Sequence, residues 1–132
     1  MSVFVDTSAI FALLDANDEN HRAARAIFGR VGQSEELLTH SYAAVESLVL
    51  VQRRLDAAAV RALANELLPL VTMLVIDEAT HDAAVGALLA ALPTRLSFVD
   101  LVSFQVMREL SISRAFTFDA DFERAGFRTL TA

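Results

Sequence analysis

The chain contains no cysteine and no lysine. Lack of cysteine excludes intrachain disulfides and thiolate ligands, so any metal must be held by oxygen or imidazole. Lack of lysine makes all eleven basic residues arginine, each a planar fork suited to two-point contact with phosphate or carboxylate. Genomic composition alone is enough to produce that bias. Positive charge is also in short supply, with 17 acidic residues and a formal net charge of −6. This argues against a nucleic-acid binder that works through global charge. No apolar run reaches the roughly 18 residues of a membrane span. The opening Met1 to Asp6 has neither a basic leader nor a small-residue cleavage site, so a cytoplasmic protein with no membrane contact is expected.

What is abundant is apolar side chain: 55% of 132 residues, with a mean hydropathy of +0.44. One domain over residues 1–132 has room for a real core. The richness suggests elements buried on more than one face, which favours a layered α/β fold.

Strand and helix patterns alternate along the chain. Val3-Phe4-Val5 is a β-branched and aromatic run ending at Asp6-Thr7-Ser8, residues that favour turns and helix caps. A helix with Ile10, Phe11, Leu13 and Leu14 follows, then a polar loop over Asp15 to Asn20. A second helix is expected from about Asn20 to Phe28, closed by Gly29 and Gly32, before a short strand at Leu37-Leu38-Thr39. Tyr42 to Arg54 reads as the next helix. Asp56 is a candidate cap for another, running through Leu68 and ended by Pro69. Val71 to Ile76 reads as the clearest strand, Asp77 caps a helix that stops before Pro93, and a further helix begins near Ser97. Ala115 to Phe118 and Phe127 to Leu130 are expected as the last strands. Such alternation predicts a mostly parallel sheet covered on both faces, with ligands bound beyond the carboxyl ends of its strands.

Four carboxylates look out of place against this pattern. Asp6 and Asp119 stand at the ends of expected strands, and Glu46 and Asp100 sit inside apolar helical runs. Each has an ordinary structural explanation except Glu46. Asp6 and Asp119 are candidate helix caps, and Ser97-Phe98-Val99-Asp100 matches a capping box. Glu46 is expected on a helix face with Tyr42, Val45 and Val49, near buried surface. Together, the four would collect at one edge of the sheet. Two carboxylates about 5 Å apart at an effective dielectric near 20 repel by roughly 3 kcal/mol. Either some are protonated or a divalent cation sits among them, and an all-oxygen set suits Mg²⁺ or Mn²⁺.

The run Val3-Phe4-Val5-Asp6-Thr7-Ser8, Glu46 in an early helix, Phe98-Val99-Asp100, and Thr117-Phe118-Asp119-Ala120-Asp121-Phe122 together resemble the PIN domain over nearly the whole chain. Single-domain PIN proteins of this size are similar to VapC toxins of bacterial toxin–antitoxin pairs. The resemblance implies a three-layer α/β/α sandwich with a mostly parallel central sheet and a homodimer. It also implies a Mg²⁺- or Mn²⁺-dependent endoribonuclease acting on tRNA or rRNA and inhibited by a small VapB-type antitoxin. Carried onto this sequence, it makes Asp6, Glu46, Asp100 and Asp119 the catalytic quartet and Asp6, Asp100 and Asp119 the metal ligands. Thr7 or Ser8 matches the hydroxyl beside the first aspartate. Asp121 competes with Asp119 for the last position. The products would carry a 5′-phosphate and a 3′-hydroxyl.

An acidic protein must still receive RNA, and Arg22, Arg53, Arg54 and Arg95 are the candidate contacts, for RNA or for an antitoxin. His21, His40 and His81 are scattered and are expected to be ordinary surface residues. Two other aspartate-rich classes fit less well. A phospho-acceptor receiver domain resembles a chain with paired acids after the first strand and a lysine after the last. A haloacid-dehalogenase-like phosphatase needs Asp-x-Asp where this chain has Asp6-Thr7-Ser8. A PIN nuclease of RNA maturation and a non-catalytic acidic binding module remain as alternatives.

Overall fold

Val3, Phe4 and Val5 are all buried, which is why an apolar run without polar alternation becomes the middle strand of a parallel sheet. The computed structural model describes residues 1–132. β1 (Ser2–Val5) lies between β2 (Glu36–His40) and β4 (Arg114–Phe116), with β3 (Thr72–Leu74) beyond β2 and β5 (Arg128–Thr129) beyond β4. Every pairing is parallel. The order β3-β2-β1-β4-β5 reverses direction between β1 and β4. At such a reversal the chain leaves the two strands toward opposite faces, opening a crevice beyond their carboxyl ends.

Helices α1 (Thr7–Leu14), α2 (His21–Val31), α3 (Ser41–Arg54) and α4 (Ala57–Ala62) cover one face. Their core packs Ile10, Ile27, Val51 and Leu63 against Val3, Val5 and Phe116. α5 (Glu78–Ala91), α6 (Phe98–Glu109) and α7 (Asp121–Arg124) cover the other. There Phe4, Phe104, Met107 and Phe122 form a second core, and Val102 and Val106 join Ala84 in a third. The expected three-layer α/β/α architecture is therefore present, with the sheet wholly rather than mostly parallel. No helix is long and apolar enough to cross a membrane.

Several element boundaries differ from expectation. The strand expected over Val71 to Ile76 is only three residues long and sits at the sheet edge, with Thr72 and Met73 exposed. Its partner β2 turns into α3 after His40, so nothing remains to pair beyond Leu74. The Ile76 amide instead donates to the Ser41 hydroxyl at 3.0 Å. The last two strands are shortened for the same reason. β1 ends at Val5, and the Phe118 amide donates to Ser8 Oγ at 2.9 Å.

Gly29 lies inside α2, which continues to bury Val31. Gly32 caps it in right-handed geometry, where a β-carbon would come within 2.7 Å of the Phe28 carbonyl oxygen. Asp56 does cap α4 through the Ala59 amide at 2.9 Å. The helix does not run on to Leu68, however. It widens into a π turn over Leu63–Leu67 and tightens to a 3₁₀ turn over Leu68–Leu70. Pro69, which has no N–H to give, is accommodated inside that last turn.

Candidate active site

Asp6 leaves β1 at the point where strand order reverses, and it is 4% exposed. It caps α1, so the ordinary explanation is correct, and it also forms the centre of a polar cluster. Its Oδ2 accepts hydrogen bonds from the Ser8 amide at 3.3 Å, Ser8 Oγ at 2.7 Å and Thr117 Oγ1 at 2.9 Å. All three converge on one oxygen, and Oδ1 takes no hydrogen bond from the chain. A carboxylate held so firmly on one side and left without a protein donor on the other fits a metal ligand with its supporting shell.

The two hydroxyls beside Asp6 divide their work. Ser8 binds the carboxylate, whereas Thr7 is directed to α3, its Oγ1 lying 3.4 Å from both the Ala43 carbonyl and Ser47 Oγ. Thr117 was not anticipated from sequence, where it counted only as a strand residue. Its hydroxyl donates to Asp6 and accepts from the Asp119 amide at 3.0 Å, tying the end of β4 to the end of β1. Its placement one residue past a strand and two before an aspartate was the available signal.

Asp119 Oδ1 accepts from the Asp121 amide at 2.9 Å, a turn that folds the segment back toward α6. Carboxylate oxygens of Asp100, Asp119 and Asp121 all lie within 4.8 Å of one another, and all three groups are half-buried. Opposite ligands of an octahedral Mg²⁺ at 2.0–2.1 Å stand about 4.2 Å apart, so this triad is near the size a small divalent cation requires. Asp119 and Asp121 thus both reach Asp100 and do not exclude each other. Ser97 Oγ accepts the Asp100 amide at 3.0 Å, so the capping box explains why α6 starts there while leaving the carboxylate for the cluster.

Electrostatics join the quartet. Burial first, then the charges of Asp6, Asp119 and Glu46, push the Asp100 carboxyl up to about 7. Burial raises Asp6 as well, opposed by Ser8 and Thr117 and reinforced by Asp119. Glu46 is raised by burial and by Asp6, against a hydrogen bond from Thr7. These acids resist simultaneous ionisation in the metal-free chain, and a divalent cation reverses that preference. The oxygen-only donor set suits Mg²⁺ or Mn²⁺ chemistry.

Glu46 reaches this site from a helix face other than the one expected. Val45 and Val49 are 58% and 45% exposed, and α3 instead buries Ala43, Ala44, Ser47 and Val51. Small residues let α3 approach α1 closely, which brings Glu46 beside Thr7. His40 is fully buried and not a surface residue. Its Nδ1 accepts the Ala43 amide at 3.2 Å, capping α3, so Nε2 carries the proton toward Ser103 Oγ at 2.8 Å. Ser103 passes its own proton to the Val99 carbonyl. Burial lowers the imidazole to about 4. This neutral ring joins the helix bearing Glu46 to the helix bearing Asp100. His21 and His81 are partly buried, bonded to the Ala12 carbonyl and the Tyr42 hydroxyl respectively.

The arginines separate. Arg53 and Arg54 are exposed in the last turn of α3, roughly 10 Å along the axis beyond Glu46 at 1.5 Å per residue. Arg22 is exposed on the first turn of α2. Only Arg95 of the four lines a cleft that Asp121 also lines.

Residues 3–128 match the PIN domain family. Over 128 residues, 95% of each chain, the sequence is 34% identical to the 23S rRNA-specific endonuclease VapC20 of Mycobacterium tuberculosis, in strains CDC 1551 / Oshkosh and H37Rv. The crystal structure of Mycobacterium tuberculosis VapC20, a sarcin–ricin loop cleaving toxin, superposes with a TM-score of 0.89 at 30% identity, covering 98% of this chain and 99% of that one. VapBC2 from Rickettsia felis, bound to promoter DNA, shares the fold with a TM-score of 0.73 at 11% identity, covering 98% of both chains. With its acids gathered at the β1–β4 crevice and its match running nearly end to end, the chain belongs to the PIN domain family.

Proposed function

We propose that this chain is a divalent-metal-dependent endoribonuclease, the VapC-type toxin of a toxin–antitoxin pair, with ribosomal RNA as its substrate class. The observation that carries this reading is the convergence of Asp100, Asp119 and Asp121 within 4.8 Å, electrostatically coupled to buried Asp6. The substrate class follows from the 23S rRNA-specific relative at 34% identity, and the antitoxin from that relative's being a toxin and from the VapBC2 assembly that shares the fold.

In this reading Asp6, Asp100 and Asp119 hold Mg²⁺ or Mn²⁺, with Asp121 beside them. The bound cation supplies charge neutralisation at the attacked phosphate and eases ionisation of water. Ser8 and Thr117 fix the orientation of Asp6. Glu46, with its affinity for a proton raised by burial, orients the attacking water and accepts its proton. The water oxygen bonds to phosphorus and the bond to the 3′ oxygen breaks. That oxygen takes a proton from solvent, to which Glu46 releases the one it accepted, leaving a 5′-phosphate and a 3′-hydroxyl. Action in the cytoplasm as a homodimer, with a VapB-type antitoxin restraining the activity, completes the proposal.

The test is incubation of purified protein with a mixed tRNA and ribosomal RNA pool in Mg²⁺ or Mn²⁺, with EDTA and Asp6→Ala controls. Discrete fragments dependent on both metal and Asp6 are expected. Metal-independent cleavage, or cleavage retained by a folded Asp6→Ala chain, would overturn the assignment.

A further inference from the structure

A cleft of about 440 Å³ runs along α6, from the segment before it to its last turn, against α7, and Arg95, Arg108 and Arg124 line it together with Leu96, Phe104 and Asp121. Its volume falls within the range of ligand sites. Three guanidinium groups around one cleft call for an explanation in a chain of net charge −6. Arg124 pairs with Asp121 at 2.7 Å, but neither Arg95 nor Arg108 forms an ion pair with any carboxylate of the chain. Arg108 lies near two aromatic rings, its Cζ 6.0 Å from the Phe104 ring centre and 5.5 Å from that of Phe127, within cation–π reach. Such contact limits the freedom a guanidinium has to lose when it binds an oxyanion. The cleft also has a definite position. Asp121 belongs both to its wall and to the acidic triad with Asp100 and Asp119, so the arginines begin where the carboxylates end.

We infer that this cleft is a phosphate subsite for the RNA strand next to the scissile bond, with Arg95 and Arg108 binding backbone phosphate. The inference rests on the nuclease reading above and names where its substrate lies. An acidic peptide would satisfy the guanidinium groups equally. The nuclease reading favours a phosphodiester chain, which would present its scissile phosphate at the acidic cluster and a neighbouring phosphate to the adjoining cleft. The arrangement gives an acidic protein a local seat for a polyanion, since three of its eleven guanidinium groups line the cleft that Asp121 shares with the acidic triad.

The experiment uses the Asp6→Ala chain, which leaves RNA intact, and measures fluorescence anisotropy of a labelled 12-nucleotide single-stranded RNA over a salt series. Adding Arg95→Gln and Arg108→Gln is expected to weaken binding about tenfold or more and to lower the salt slope by about 1.4, at roughly 0.7 per phosphate contact on a single strand. The same charge loss on the opposite layer, Arg25→Gln with Arg61→Gln, is expected to change affinity less than threefold. Circular dichroism reports that each variant is folded, and calorimetry on the Asp6-intact chain carrying Arg95→Gln and Arg108→Gln is expected to give unchanged Mn²⁺ binding. Equal weakening by the two pairs would overturn the subsite in favour of general charge. Unchanged RNA affinity in the folded cleft variant, with an acidic peptide bound by the parent and lost by the variant, would assign the cleft to protein instead. Metal- and Asp6-dependent cleavage that survives unaltered in the cleft variant would sink the subsite while leaving the nuclease reading intact. Failure of the parent to bind or cut any RNA would remove both.

Discussion

Replacing Asp100 by asparagine removes one charge from the acidic cluster and keeps its shape. The Asp100 carboxyl stands at about 7 against an ordinary 3.8, a rise of about three units. At 1.36 kcal/mol per unit, holding it ionised costs the metal-free fold at most about 4 kcal/mol, and solvent around a half-buried group reduces this to about 1–3 kcal/mol. A folded-state value above the unfolded one means the native chain binds the extra proton. The penalty is therefore absent below about pH 4, grows as pH rises toward 7 and is complete above it. In EDTA at pH 8, Asp100→Asn should melt higher than the parent by about 3–15 °C for a chain of this size, and the gap should close at pH 4. Saturating Mn²⁺ should invert the order. At a hundred times its dissociation constant a ligand stabilises the parent by about 2.7 kcal/mol, and the variant should gain far less. Thermal melts under these conditions provide the assay. A variant that melts no higher than the parent at pH 8 in EDTA, or that gains as much from Mn²⁺, would refute the account of the cluster.

Other expectations concern the groups that hold the site together. His40, held neutral with a value near 4, contributes stability that is complete above about pH 6.5 and is lost as pH falls toward 4, by up to about 3 kcal/mol. This opposes the Asp100 effect, so acid lability should be plain in the Asp100→Asn chain and should shrink when His40→Phe is added, the remainder coming from Glu35 and Asp77, whose carboxyls are lowered by Arg114 and by the Thr80 amide, as followed by pH-dependent melts. Thr117→Val leaves the Asp119 amide without its acceptor and Asp6 with only its two Ser8 donors, which should cost about 1–3 kcal/mol in melts. Metal affinity by calorimetry or RNA cleavage should fall roughly 10- to 100-fold. Phe122→Ala empties a site packed by Phe4 and Phe104 and should cost about 3–5 kcal/mol in denaturant titration.

The acids at strand ends were legible because a polar residue closing an apolar run has few places to go except the edge of a sheet. Ser97 and Asp56 were legible as caps because capping is local. Strand order was not, since nothing along the chain says that β4 rather than β3 lies beside β1. Thr117 gained its role only from that neighbour. The outward turn of Val45 and Val49 was hidden because periodicity identifies an apolar face without saying whether small residues on another face pack better. His40 was misjudged for a related reason. A histidine after a strand looks exposed until Ser103, 63 positions away, offers its ring a partner. Arg95 is a candidate from sequence, but Arg108 and Arg124 are not, because they are scattered along the chain and join it only where α6 and α7 meet.

The hydrogen bond from Thr117 to Asp6 spans 111 positions, so the site is closed by contacts of very high sequence separation. A chain cut after α6 carries Asp6, Glu46 and Asp100, yet it lacks the strand that fills the place beside β1. Truncation before residue 117 therefore leaves no assembled acid cluster.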